Sequence, residues 1–177
     1  MISPQIDSLQ LRPAVPEDAP SYRAHLLRIY AEPRIDTPYT AEEYPRTPEQ
    51  DVAMIDLYTR LENSLFLVAV TPENTVVGSL RILGGTLKAV RHSADLALYI
   101  DAAYRGQGLG RRMMETGLAW AKAGGILKRI QLEVYARNTR AVRLYESLGF
   151  EIEGRRRCAM FQDGEFLDEY LMGLVWA

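Results

Sequence analysis

The sequence predicts a layered α/β domain, a mixed and mostly antiparallel sheet of about seven strands with helices packed on its faces. Three observations lead there. Period-2 and period-3.6 apolar patterns alternate in the order strand, two helices, three strands, helix, strand, helix, two strands. Two of the strand pairs are joined by short turns, as antiparallel hairpins are. Between them, a nearly continuous apolar strand runs through a glycine-rich loop straight into a helix.

Ser8 to Ala14 alternates as a short strand, and Pro16-Glu17-Asp18 opens a helix running to about Ala31, with acidic residues at its positive end. Glu32 to Pro48 carries Pro33, Pro38, Pro45 and Pro48, so it reads as a stiff loop. Glu49 to Glu62 resumes a helix whose apolar face holds Val52, Ile55, Tyr58 and Leu61. Leu65–Val70 and Val76–Leu83 form a hairpin through Thr71-Pro72-Glu73-Asn74, closed by Gly84-Gly85. Asp95–Asp101 has the composition of a central strand buried on both faces. After the loop Arg105–Arg111, a helix continues to about Ala123 and ends at Gly124-Gly125. Arg129–Tyr135 is the next strand. A short helix follows, with Ala141, Leu144, Tyr145 and Leu148 on one stripe and Gly149 beyond its end. Phe150–Phe161 and Phe166–Leu174 make the last hairpin, through Gln162–Glu165.

A chain of 177 residues suits a single domain, here residues 1–177 with a core of about 9–175. With 47% hydrophobic and 25% charged residues, it is globular in composition. The net charge of −2 argues against a nucleic-acid-binding surface. Cys158 is the one cysteine, and with only His25 and His92 beside it no metal site is expected. No segment has the pattern of an export signal or a membrane span, so a cytoplasmic protein is expected. All nine prolines lie at or before Pro72 and all thirteen glycines at or after Gly78, so the two halves have different backbone tasks.

The chemistry concentrates at Arg105-Gly106-Gln107-Gly108-Leu109-Gly110-Arg111. Glycines let the chain bend sharply and bring successive amides close to a ligand. A helix starting there adds unpaired N–H groups and the positive end of its dipole, which suit a phosphate or pyrophosphate. Arg105 and Arg111 can add charge pairing. The position three after Gly108 is Arg111, which breaks the dinucleotide fingerprint, and two arginines after Gly110 exclude the P-loop ending. Without a ligand, the same glycines would make a tight strand-to-helix turn.

Tyr104–Gly110 resembles the R/Q-x-x-G-x-G/A acyl-CoA signature of the GNAT N-acetyltransferase superfamily. Asn138–Phe150 is similar to that family's N-x-x-A-x-x-x-Y-x-x-x-G-F block. The closing pattern Glu153-Gly154-Arg155, Asp163-Gly164, Asp168 and Leu171-Met172 is most like the bacterial amino-acid and phosphinothricin N-acetyltransferase branch. The resemblance implies a single-domain GNAT-like fold with helices on both faces of the sheet, and acetyl-CoA as co-substrate. It places pantetheine against Leu98, Tyr99 and Ile100, and the pyrophosphate on Gly106, Gln107, Gly108, Leu109, Gly110 and Arg111, with Arg105 beside it. It gives Asn138 a pantetheine contact, beside its own reading as a helix cap. It gives Tyr145 a place at the thioester sulfur and the proton for the departing thiolate, where the residue pattern alone reads as a core tyrosine.

The implied reaction is direct transfer of acetyl to a neutral amine, with an N–H near Leu98 or Tyr99 meeting the charge on the carbonyl oxygen. No general base is assigned: Asp95, Asp101 and Glu133 read equally as solvated or paired, and His92 as a turn residue. Cys158 has no base paired with it in sequence. In the family's arrangement the loop Glu32–Pro48 borders the acceptor, where Tyr39 and Tyr44 line the pocket or pack the loop. The expected acceptor is a small primary amine, such as an amino acid or an amino-acid-like toxin. A protein N-terminus, a lysine side chain and a non-catalytic acyl-CoA sensor are the alternatives, and a homodimer is left open.

Overall fold

The computed structural model describes residues 6–176. Its elements are β1 (Gln10–Pro13), α1 (Ala19–Tyr30), α2 (Pro48–Arg60), β2 (Leu65–Val70), β3 (Val76–Gly84), β4 (Ser93–Ile100), α3 (Leu109–Ala123), β5 (Arg129–Tyr135), α4 (Thr139–Ser147), β6 (Glu151–Gln162) and β7 (Glu165–Val175). The strands form one sheet in the order β1-β2-β3-β4-β5-β7-β6. Every neighbouring pair is antiparallel except β4 and β5, which run parallel. A connection between parallel neighbours must cross over the sheet, and α3 makes that crossing.

Alternation along the strands divides the core in two. One face buries Leu67, Leu80, Ile82, Leu96, Ile130, Leu132 and Met172 beneath Met113, Met114, Leu118 and Tyr145 of α3 and α4. The other places Phe66 and Val68 beneath Tyr22, Leu26, Ile29, Ile55 and Tyr58 of α1 and α2. Helices therefore lie on both faces.

Local chemistry explains the ends. Pro16–Asp18 is a turn of 3-10 helix, and α1 begins only at Ala19, with Pro20 within its first two positions. The expected start at Pro16 is thus three residues early. The Asp18 carboxylate accepts from the Val15 N–H at 2.9 Å and from both terminal nitrogens of Arg12, which pins this turn to β1. Thr47 caps α2 by accepting from the Gln50 N–H, and the Gln50 side chain accepts from the Thr47 N–H in return.

Candidate active site

β4 and β5 pair only through Ser93–Arg129, Ala94–Ile130 and Asp95–Gln131, and then diverge. The divergence opens a cleft of about 1080 Å³ between Leu96–Ile100 on one side and Leu132–Tyr135 on the other. This corrects the expectation that β4 is buried on both faces: Ala97 to Ile100 are only half-buried, because they line the opening. On its other side β4 is fully paired with β3, in unbroken register from Ala94–Gly84 to Ile100–Gly78. The Asp101 N–H donates to the Val77 carbonyl, and the Gly85 N–H to the Ser93 carbonyl. In an antiparallel ladder main-chain direction alternates, so odd-numbered residues of β4 face β3. Leu98 N–H, Leu98 C=O and Ile100 N–H therefore face the cleft. The main chain of Tyr99 faces β3, so of the two residues considered from sequence only Leu98 turns its N–H to the cleft.

Past Ile100, a 3-10 turn over Ala102–Tyr104 leads to the glycine loop. Gly106 (φ 79°) and Gly108 (φ 93°) both take the left-handed region that favours glycine. Gly108 caps α3 without a side chain, and the first intrahelical bond to it comes from the Arg112 N–H. The amides of Leu109, Gly110 and Arg111 are thus the unpaired first turn of a 15-residue helix. An added Cβ at Gly108 would meet no atom within 4 Å, so the backbone there borders open space. Leu109 buries its side chain in the core and offers only its amide. Gln107 folds back, its amide nitrogen donating to the Ala103 carbonyl at 2.7 Å. Three unpaired amides at an unobstructed left-handed turn, beside an unpaired strand edge, suit a pyrophosphate and its extended arm.

The arginines divide their work differently from the expectation. Arg105 donates through Nε to the Ile100 carbonyl at 2.7 Å and through both terminal nitrogens to Glu32, at 2.5 and 2.8 Å. It clasps the end of β4 to the segment after α1 with three of its five N–H groups, and it lines both cavities. Arg111 donates to the Ser147 hydroxyl at 2.7 Å and lines the rim. Arg140 lines the same cleft, with a terminal nitrogen 3.2 Å from the Cβ position of Gly106. The sequence reading missed it, although it lies two residues after Asn138 within the recognised block.

Asn138 caps α4, its side-chain oxygen accepting from the Ala141 N–H at 3.2 Å, and it also lines the cleft. The two sequence readings of Asn138 are geometrically compatible. Tyr145 packs against Phe150 at 5.9 Å between ring centroids and borders the cleft from the α4 side. Burial, with a smaller contribution from Tyr99, pushes its pKa up to about 12, so the phenol keeps its proton at neutral pH.

Parity places a second set of groups on the opposite face. Asp95, Ala97, Tyr99, Glu133, Tyr135, Glu169 and Leu171 line the cleft there, with Asp36 and Pro38 of the Pro-rich loop above them. Asp36 accepts from Arg137 Nε at 2.7 Å, and one Arg156 nitrogen bridges Glu133 and Glu169 at 2.6 and 2.5 Å. A smaller cavity of about 320 Å³ continues over Glu32–Asp36, Tyr99 and Asn138. The opening passes through the sheet, with amides and arginines at one mouth and carboxylates at the other.

Tyr39 and Tyr44 pack the loop. Tyr39 lies 5.6 Å from the Tyr30 ring and lines neither cavity. The Tyr44 ring is covered by Arg23 and Arg46, and its hydroxyl donates to Asp51 at 2.6 Å. His25 is fully buried, its Nδ1 2.5 Å from Asp101 and its Nε2 3.2 Å from the Ser79 hydroxyl. Arg28 donates to the other Asp101 oxygen at 2.7 Å. This Ser–His–Asp chain is sealed from the cleft, and what it does is tie α1 to the end of β4. Cys158 is exposed on β6 and lines neither cavity.

Residues 23–150 match the acetyltransferase (GNAT) family. An L-amino acid N-acetyltransferase of Escherichia coli (strain K12) is 29% identical over 103 residues, 58% of this chain and 64% of that protein, so the match spans just under two thirds of this relative's length. The crystal structure of a GNAT-family acetyltransferase from Streptococcus pneumoniae superimposes with a TM-score of 0.89 at 34% identity, covering 95% of this chain and 99% of that one. A GNAT superfamily phosphinothricin acetyltransferase from Sinorhizobium meliloti, solved in complex with acetyl-CoA, shares the fold with a TM-score of 0.80 at 21% identity, over 95% of this chain and 88% of that one.

Proposed function

The chain belongs to the GNAT acetyltransferase family, and on that premise we propose that it is an acetyl-CoA-dependent N-acetyltransferase acting on the primary amine of a small molecule, such as an amino acid or an amino-acid-like toxin. We read residues 9–175 as its one catalytic unit. The observation that carries this is the splay of β4 from β5 after Asp95, which leaves Leu98 unpaired directly upstream of the glycine loop and the free amides of α3.

When bound, acetyl-CoA supplies the activated acetyl thioester. The amides of Gly108 to Arg111 hold its pyrophosphate, with Arg140 and Arg111 at the rim, and Leu98 orients the extended arm as a neighbouring strand would. The Leu98 or Ile100 N–H faces the carbonyl oxygen, a preorganised donor at the point where charge develops. Tyr145 keeps its proton and offers it, or a hydrogen bond, at the sulfur. On the far face Asp36, Glu133 and Glu169, each held by an arginine, line the space left for the amine together with Asp95 and Tyr99.

The test is thiol release from acetyl-CoA with a panel of small amines and amino acids, alongside thermal shift with acetyl-CoA. Acceptor-dependent release supports the enzyme; binding without release on any acceptor supports an acyl-CoA-binding protein. No binding overturns the reading.

A further inference from the structure

Among the described residues, two buried side-chain atoms have no hydrogen-bond partner, Arg81 Nε and Tyr22 Oη. Arg81 is the one charged residue of β3, between the buried Leu80 and Ile82. Its Nη1 reaches only the Met54 sulfur, at 3.5 Å, a weak acceptor. No ion pair joins it to a carboxylate among the described residues, whereas Asp18, Asp36, Asp51, Asp101 and Glu169 are each paired with an arginine. A guanidinium always carries its charge, and a buried charge without a counter-ion is costly. Among the described residues, the fold therefore keeps a cation that no carboxylate complements.

Its position says what would. Arg81 lies directly across from Ala97 in the β3–β4 ladder. Ala97 lines the acceptor side of the cleft, and its methyl group leaves the space above it low. Cross-strand neighbours are only about 5 Å apart, well within the reach of an arginine side chain. Side-chain parity puts Arg81, Ala97 and Tyr99 on the same face, the one bearing Asp36, Glu133 and Glu169. Nε is sealed and Arg81 lines neither cavity, lying one strand behind Ala97, but Arg81 as a whole is only partly buried, so part of its surface remains open. A small acceptor over Ala97 would lie between this guanidinium and the splay, where Arg137 and Arg156 hold Asp36, Glu133 and Glu169 in place.

We propose that Arg81 is the carboxylate-reading group of the acceptor site, so that the acceptor is an amino acid whose ammonium lies at the splay and whose α-carboxylate pairs with Arg81. This rests on the N-acetyltransferase reading above and narrows its acceptor to molecules bearing both charges. Tyr22, whose hydroxyl also lacks a partner, is fully buried and stays beneath the site. The pairing would supply the missing counter-ion through the part of Arg81 that remains open.

The experiment compares amino acids with their decarboxylated amines and their amides, on the native enzyme and on Arg81→Lys and Arg81→Met. The expected result is a kcat/KM for the amino acid at least about 30-fold above that for the matching amine, carried mainly by KM, because an unpaired buried charge is the alternative. In Arg81→Met that ratio collapses towards one, and in Arg81→Lys it is partly kept. Acetyl-CoA-dependent thermal shift in both variants checks folding, and if Arg81→Met does not fold, the native ratio and the Arg81→Lys ratio decide. Native enzyme that uses amine and amino acid equally, or variants that lower both together, overturns the site. Absence of turnover on every acceptor overturns the acetyltransferase reading instead.

Discussion

Gly108 and Gly110 lie two residues apart in the same loop, yet alanine should move the protein in opposite directions at the two. At Gly108 φ is 93°, so an L side chain is strained, at about 1–2 kcal/mol. A Cβ there meets nothing within 4 Å, so no clash adds to that strain. At Gly110 the backbone is helical, and a Cβ meets Leu144 Cδ2 at 3.5 Å and Leu98 Cδ2 at 3.7 Å, ordinary contacts. Alanine in a helix is favoured over glycine by about 0.8–1 kcal/mol. For a chain of this size about 1 kcal/mol shifts Tm by roughly 2–4 °C. Gly108→Ala should therefore melt about 2–8 °C lower, and Gly110→Ala about 2–4 °C higher. Acetyl-CoA affinity separates them again. A methyl group at Gly108 holds a phosphate away from the amides, and losing one charge-assisted hydrogen bond of about 1.5–3 kcal/mol is roughly a 10- to 100-fold loss. Gly110→Ala should bind within about threefold of native, since its Cβ turns towards leucines. Differential scanning fluorimetry and calorimetric titration read both quantities. Equal affinity in Gly108→Ala would refute the phosphate cradle, and destabilisation in Gly110→Ala would refute the packing argument.

Four other outcomes follow from the same geometry. Tyr145→Phe should lower kcat by about 100-fold or more while acetyl-CoA affinity stays close to native; native-like kcat removes the hydroxyl from the reaction. With its pKa pushed up to about 12, Tyr145 should also place no limb in the pH–rate profile between pH 6 and 9, so a limb that vanishes in Tyr145→Phe would contradict this. Burial holds the His25 pKa below its ordinary value, against the pull of Asp101. The unfolded chain then binds the extra proton first, so stability should fall as pH drops below about 6.5, and a Tm that rises from pH 7 to 5 would mean that His25 is cationic in the fold. Glu32→Gln breaks the two-pronged clasp on Arg105 and should raise the KM for acceptor, because the segment over Glu32–Asp36 loses its tie to β4. An unchanged KM with only a lower Tm would reduce the clasp to a structural one.

β2 and β5 were legible to the residue, because uninterrupted apolar or alternating runs end at a proline turn or a basic flank. The boundary of α1 was not, since Pro16-Glu17-Asp18 satisfies the rules for a helix start, and its 3-10 form depends on Arg12 reaching back to Asp18. The glycine loop could be read because its requirement is local: a positive φ at Gly106 and Gly108 limits the residue type whatever lies elsewhere. Asp36 and Glu169 could not be found that way, for each meets the cleft through strand pairing or loop placement distant in sequence, and Arg81 lies beside it only through its pairing with Ala97. Arg81 did leave a signal, a single cation in an apolar strand. Arg105 also carries a tie that local pattern does not show, its two-pronged pairing with Glu32, 73 positions away.

The unpaired run at Leu98 has a further meaning for the chain's behaviour in a crowded solution. Exposed strand edges recruit other chains, and sheets ordinarily carry them at their margins. Here an edge lies in the interior of the sheet, with β3 paired on one flank and β5, β7 and β6 beyond the gap on the other. A polypeptide would have to bring in side chains at every residue, about 3.4 Å apart and alternating above and below, and α4 and the Pro-rich loop bound that space. A slender unbranched arm with amide groups and no side chains meets no such obstacle. The same geometry that leaves hydrogen bonds unmade for a ligand thus filters by cross-section, and hides a sticky edge from neighbouring molecules.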